Sequence, residues 1–273
     1  MSTILRTDSV IWNIYLLQLS RENHSLSQNR LWLREKGSKD MSNQSNFLRQ
    51  LDFFDPEKDG NVGVEIIGAG GIGSFVALAL AKLGINKMRV WDGDKVENHN
   101  LPNQLHAIAS VGVPKAESIA KVCHDLGEVD IEVKNEFWTP EKAAGLSGIV
   151  ISAVDSMGRN ANRDTDGRKE IWEAVKMNTN VRLFIDCRIG GEFIRILSVR
   201  PINDYMKYGW YEKNLFEDKD AAPLPCTAKS IIDVGFMVAA IVTRLVRGYL
   251  KNGEVMHDVI ASMTDLTLHR MEV

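Results

Sequence analysis

Gly68, Gly70, Gly71 and Gly73 fall in the run GAGGIG, which holds the pattern G-x-G-x-x-G and follows the short apolar stretch 64–67. An apolar run of this length suits a buried parallel strand, and the glycines behind it let the chain turn sharply with positive φ. The same turn opens a helix predicted over 71–83, so backbone amides and the positive end of the helix dipole are presented to a phosphate. Asp92 follows about 20 residues later, at the end of a strand predicted over 88–91, where a carboxylate can accept hydrogen bonds from a ribose. These features describe a nucleotide site, and taken alone they favour NAD.

The continuation changes the ligand. Asp92-Gly-Asp94 is followed by Asn100-Leu101 and Gln104, then by Gly112-Val-Pro-Lys115, and later by Asp155-Ser-Met-Gly-Arg159. In order and spacing this series resembles the ThiF/MoeB-type adenylyltransferases of the ubiquitin-activating superfamily, from about Arg49-Gln50 to about Gly248. The resemblance implies ATP and magnesium as cofactors. It also implies a reaction in which a carboxylate oxygen attacks the α-phosphate of ATP and pyrophosphate leaves. Such chemistry asks the protein to hold the nucleotide, neutralise phosphate charge and bind the metal, which is positioning and electrostatics more than proton transfer.

The resemblance also implies a role for each residue. The glycine loop approaches the nucleotide and Asp92 holds ribose, while Asp94 assists or only fixes the loop. Asn100 lies on the phosphate path, Lys115 supplies positive charge and Asp155 is the magnesium carboxylate. One carboxylate with phosphates and water is normal ligation for magnesium. Structural alternatives stand beside these roles: a solvated first-turn lysine at Lys115, a helix N-cap at Asp155, a structural ion pair at Arg159. Asn103 departs from the family, which usually has arginine in this slot of N-L-x-R-Q. Asparagine still donates a hydrogen bond but brings no charge, so either neutralisation falls more to Lys115 and Arg49 or activity is reduced. Arg49-Gln50 matches an element that in the family reaches from one protomer into the other's nucleotide site, which implies a homodimer.

Cys226, in Pro223-Leu-Pro-Cys226-Thr227-Ala-Lys229, resembles the Pro-x-Cys-Thr segment that holds the thioester cysteine of ubiquitin-activating enzymes. At the start of a helix a thiolate is favoured by the dipole, with Lys229 one turn on; the alternative is a small buried residue before a helix. Cys123 and Cys187 fall inside a predicted helix and strand and are expected in the core. With three widely spaced cysteines and no C-x-x-C, neither a disulfide framework nor a four-cysteine zinc site is supported, although several members of the resembled family carry such a zinc site.

The elements that must position these residues alternate. After β-α-β over 62–91 come a loop over 92–114, a helix over 115–126, a strand near 131–133 and a buried strand over 148–153. A polar helix over 165–177, strands over 183–188 and 193–199 joined by Gly190-Gly191, a helix over 228–251 and an edge strand over 266–271 follow. This is an α/β fold: a doubly wound, mostly parallel sheet with a Rossmann-like ATP-binding half and an antiparallel C-terminal extension. Residues 200–225 read as a long polar loop with tyrosines and a tryptophan, functional or mobile. Residues 46–273 form the expected adenylyltransferase domain. Residues 1–45 differ in composition and are either an accessory segment or sequence upstream of a natural start at Met41.

The 273 residues are 44% hydrophobic and 25% charged with a formal charge of -3, which gives no general attraction to nucleic acid. The apolar stretch 231–250 is interrupted by Asp233, Arg244 and Arg247 and reads as a buried amphipathic helix instead of a membrane span. With no secretory pattern at the N-terminus, a cytoplasmic setting is expected. The function expected is ATP- and magnesium-dependent adenylation of the C-terminal carboxylate of a small ubiquitin-like or sulfur-carrier protein, with a thioester at Cys226 as a second step. A conjugating enzyme or sulfur donor would act downstream, and no membrane is involved. Three alternatives remain: an enzyme that adenylates a carboxylate on a modified tRNA base, an NAD-dependent oxidoreductase, and a non-catalytic subunit of an activating heterodimer.

Overall fold

The computed structural model describes residues 47–156, 167–215 and 231–273. The chain divides into two compact units, Met1–Arg49 and Gln50–Val273, and the architecture below is that of the second. A short helix α1 (Pro56–Asp59) is capped by the Asp55 carboxylate and precedes β1 (Val64–Ile67) and α2 (Gly73–Leu83). Then come β2 (Met88–Trp91), α3 (Lys115–Gly127), β3 (Glu132–Lys134) and β4 (Gly148–Ser152). The C-terminal part holds α4 (Arg168–Val175), β5 (Val181–Gly190), β6 (Phe193–Val199), α5 (Tyr208–Glu212), α6 (Ile232–Asn252), β7 (Asp258–Ser262) and β8 (Thr267–Met271).

The strands form one sheet in the order β3-β2-β1-β4-β5-β6-β7-β8. From β3 to β5 they run parallel, and from β5 to β8 each neighbour is antiparallel. β1 and β4 are buried at every position, as expected of parallel strands covered on both faces. One face packs against α2, α3 and α6, with Phe75, Leu80, Ile119 and Val242 among the buried residues. The other packs around Trp172 of α4 and Tyr211 of α5, which with Phe184 form a three-ring cluster. Truncating a fully buried tryptophan such as Trp172 to alanine would cost about 3–5 kcal/mol.

The mixed doubly wound sheet with its antiparallel extension is present. The helix expected from 71 starts at Gly73, because residues 68–72 make the turn itself. β7 was missed by sequence reasoning: its short run between His257 and Met263 becomes a strand by pairing with β6 and β8. The expectation of a long irregular segment from 200 is corrected over 200–215. Tyr205–Lys207 forms a 3-10 turn leading into α5, and Tyr211 is fully buried beneath the sheet. Helix α6 begins at Ile232, since Ile231 is extended at φ -119 and ψ 170, so no continuous helix runs from 228. Among the described residues no helix is long and apolar enough to cross a membrane.

Candidate functional site

The glycine loop connects the end of β1 to α2, and its glycines separate into two kinds. Gly68 has φ +99, and a Cβ there would lie 2.7 Å from the Ala153 carbonyl oxygen; a Cβ on Gly73 would lie 1.8 Å from the Gly68 carbonyl oxygen. These two are required by the protein's own strand-to-helix packing. At Gly70 and Gly71 the nearest atoms would be Gln104 Nε2 at 3.9 Å and the Asn103 carbonyl at 3.5 Å, which are ordinary contacts. Nothing in the fold demands glycine there, and the space left is what a close-approaching phosphate needs. Ser74 Oγ donates to the Gly70 carbonyl at 2.6 Å and accepts from the Leu105 amide at 3.1 Å, stitching the loop to the segment behind it.

Asp92 sits at the C-terminal end of β2, nearly buried. One carboxylate oxygen accepts from the Ala69 amide at 2.7 Å and the other from the Asp94 amide at 2.8 Å. A carboxylate has about four acceptor positions, so capacity for a ribose hydroxyl is left. Burial raises its pKa, and the two amide bonds and Lys115 oppose that shift. Lys115 opens α3 directly behind Pro114, is 8% exposed, and places its ammonium 2.9 Å from the Asp94 carboxylate. It is therefore not a solvated first-turn lysine.

Asn100 is buried in a 3-10 turn, with Oδ1 accepting from the Glu97 amide at 2.9 Å. Asn103 stands behind the loop, its carbonyl facing Gly71. Gln104 Oε1 is buried without a hydrogen-bond partner among the described residues. Asp155 is exposed three residues past β4, beside the glycine loop: Ala153 donates to Ile67 at 2.8 Å, and Gly68 abuts the Ala153 carbonyl. It does not cap α4, whose N-cap is Gly167. The loop after β1 and the segment after β4 thus flank the point where the strand order reverses, the place where open α/β sheets receive ligands.

Arg159, Cys226 and Lys229 lie outside the described residues. Arg49 belongs to the first unit. Cys123 and Cys187 are buried and free, as expected; burial raises the Cys123 pKa to about 12 and that of Cys187 further. Among the described residues no three or more His, Cys, Asp or Glu side chains gather as a metal site. A single exposed carboxylate such as Asp155, with phosphate and water oxygens, could hold a hard cation such as magnesium.

Sequence reasoning missed three supports of the site. His106 is buried behind the loop, with Nε2 3.1 Å from the Ala69 carbonyl and Nδ1 3.0 Å from Ser118 Oγ. Burial lowers its pKa to about 4, so it is neutral near pH 7 and donates from Nε2 to Ala69. Phe137 packs over Gly93, where a Cβ would come within 2.8 Å of the ring. Asp186, fully buried in β5, holds Arg168, Arg188 and Tyr211. The signal for this last cluster was a carboxylate and one arginine, Asp186 and Arg188, inside the apolar run Leu-Phe-Ile-Asp-Cys-Arg-Ile.

The chain is similar to known proteins in part of its sequence and in its fold. Residues 46–164 match the ThiF family. The tRNA threonylcarbamoyladenosine dehydratase of Escherichia coli (strain K12) is 36% identical over 98 residues, covering 34% of this chain and 37% of that protein. The adenylyltransferase and sulfurtransferase MOCS3 of Anopheles gambiae is 37% identical over 99 residues, covering 34% of this chain and 22% of that protein. The matched part thus spans little more than a third of the first of these relatives and less of the second. Among solved structures, the crystal structure of PaaA is similar with a TM-score of 0.67 at 24% identity, covering 94% of this chain and 82% of that one, a likeness of fold. The matched residues 46–164 hold the glycine loop, Asp92, Lys115 and Asp155, so the nucleotide-site part of the chain is what is similar to the ThiF family.

Proposed function

We propose that this chain is an ATP- and magnesium-dependent adenylyltransferase that activates the C-terminal carboxylate of a small ubiquitin-like or sulfur-carrier protein. The observation that carries this reading is the grouping of an open glycine loop, Asp92, the Lys115–Asp94 pair and Asp155 around the switch point between β1 and β4. In it the amides of the loop and Lys115 face phosphate, Asp92 orients ribose, and Asp155 holds magnesium, which supplies charge neutralisation at the departing pyrophosphate. Asn100 shapes the phosphate path, and Asn103 contributes dipole where the family brings charge. The protein acts as a homodimer, Arg49 completing the partner's site, in a reducing cytoplasmic setting. The likeness to a protein named an adenylyltransferase and sulfurtransferase supports adenylation.

A second reading, adenylation of a carboxylate on a modified tRNA base, is favoured by the likeness to the tRNA dehydratase. Pyrophosphate exchange into ATP separates them. On the first reading, exchange with magnesium depends on added carrier protein ending in Gly-Gly. On the second it depends on tRNA bearing threonylcarbamoyladenosine. Exchange with neither would remove both.

A thioester at Cys226 forms part of the first reading: the thiolate attacks the acyl-adenylate carbonyl, the C–S bond forms, and AMP leaves. Cys226→Ala should keep exchange and lose the reductant-sensitive conjugate between enzyme and carrier. A conjugate that persists would exclude this cysteine.

A further inference from the structure

The Asp186 cluster beneath the parallel strands' C-terminal ends touches none of the glycine loop, Asp92 or Lys115. Asp186 of β5 is wholly buried and pairs laterally with Ser152 at the end of β4. Its Oδ1 accepts from Arg168 Nε at 2.8 Å, and its Oδ2 from Arg188 Nε at 2.8 Å, Arg188 Nη2 at 2.6 Å and the Tyr211 hydroxyl at 3.0 Å. Two guanidiniums on one carboxylate in the interior are costly to desolvate, and well-packed apolar side chains could join β5 to α4 without that cost.

What an apolar side chain could not do is reach the backbone as Arg168 does. Its Nη1 donates to the Ser156 carbonyl at 3.0 Å, and its Nη2 donates to the Val154 carbonyl and, at 3.0 Å, to the Cys187 carbonyl. Val154 and Ser156 are the two neighbours of Asp155. The Ser156 carbonyl also accepts from the Arg168 amide at 3.2 Å, so one residue grips both flanks of Asp155. A planar fork with five donors can span three carbonyls and a carboxylate at once, more acceptors than the three donors of an ammonium can serve.

We propose that Arg168 is the positioning residue for the metal-binding carboxylate, fixing the backbone on both sides of Asp155 from its pairing with Asp186. The inference rests on the reading of Asp155 as the magnesium ligand. Outer partners that orient a ligand usually matter about tenfold to a hundredfold in metal affinity.

The test is a magnesium titration of the ATP-loaded protein, read as the apparent metal affinity, beside ATP affinity without metal and thermal melting. Wild type should bind magnesium with ATP, and Asp155→Ala should lose that response. Arg168→Lys should weaken the metal response about tenfold or more and leave metal-free ATP affinity unchanged. Tyr211→Phe, which removes a bond to Asp186 but none to the Asp155 flanks, should lower the melting temperature and leave the metal response near wild type. If Arg168→Lys does not fold, Arg168→Gln takes its place, and failure of both to fold would make Arg168 structural and overturn the proposal. A folded Arg168 variant with wild-type metal response, or Tyr211→Phe weakening it equally, would overturn the proposal alone. No ATP binding by wild type would overturn the nucleotide reading and the proposal with it, and no effect of Asp155→Ala would overturn the reading of Asp155 as metal ligand and the proposal with that.

Discussion

The Lys115 ammonium lies 2.9 Å from the Asp94 carboxylate, with the lysine nearly buried and the aspartate side chain 38% exposed. The pair holds a long flexible side chain against the Asp92 loop before any ligand arrives. Its positive charge is therefore placed in advance, which saves rotamer entropy on binding. Lys115→Met keeps most of the packing and removes the charge, and Asp94 can rehydrate. We expect weaker ATP–magnesium binding by about 1–2 kcal/mol, with stability changed by less than about 1 kcal/mol. Calorimetry and denaturant melts check the two effects separately.

Gly70 and Gly73 should behave differently when each becomes alanine. At Gly73 the added methyl would meet the Gly68 carbonyl at 1.8 Å, so strand and helix must separate. A loss of about 1–3 kcal/mol in stability is expected. At Gly70 the methyl meets only Gln104 Nε2 at 3.9 Å, so melting should be nearly unchanged while nucleotide affinity falls, because the methyl occupies the phosphate's approach. Paired melts and binding isotherms of the two variants test this, and equal destabilisation would contradict it.

His106 links loop geometry to pH. Its pKa in the fold is about 4 against an ordinary value of 6.5, so between these values the unfolded chain binds the extra proton and the folded one does not. Stability should therefore rise with pH from about 4 to 6.5, and be lost as pH falls through the same window, by on the order of 1–3 kcal/mol. His106→Gln can still donate to the Ala69 carbonyl and should show a shallower slope there. Denaturant melts across that window decide it.

On the proposed function Arg49 would complete the partner's site, and subunit mixing tests that proposal. Arg49→Ala and Asp155→Ala homodimers should each be inactive in pyrophosphate exchange. In a mixed dimer one site carries neither defect, so an equal mixture should recover about a quarter of wild-type activity. No recovery in confirmed mixed dimers would place Arg49 in its own subunit's site or in none.

The parallel half of the fold was legible because its strands are short apolar runs punctuated by glycine. β1 and β2 are found within the predicted bounds, as is the antiparallel β6, since burial at most of their positions leaves little ambiguity. β7 was not legible: Asp258–Ser262 becomes a strand through pairing partners distant in sequence. The glycine loop, Asp92 and Lys115 could be read from spacing, because their chemistry lies in local geometry. The supports behind them could not. Arg168 and Asp186 are 18 residues apart, and only the fold brings a guanidinium onto the carbonyls beside Asp155.

The central claim is that the loop between β1 and α2 receives ATP with magnesium, in preference to NAD. Isothermal calorimetry of the purified chain with ATP plus magnesium, and separately with NAD, tests it most directly. We predict saturable ATP binding strengthened by magnesium through Asp155, and NAD binding at least about tenfold weaker, a difference of about 1.4 kcal/mol. Tight NAD binding with no response to ATP and magnesium would contradict the account.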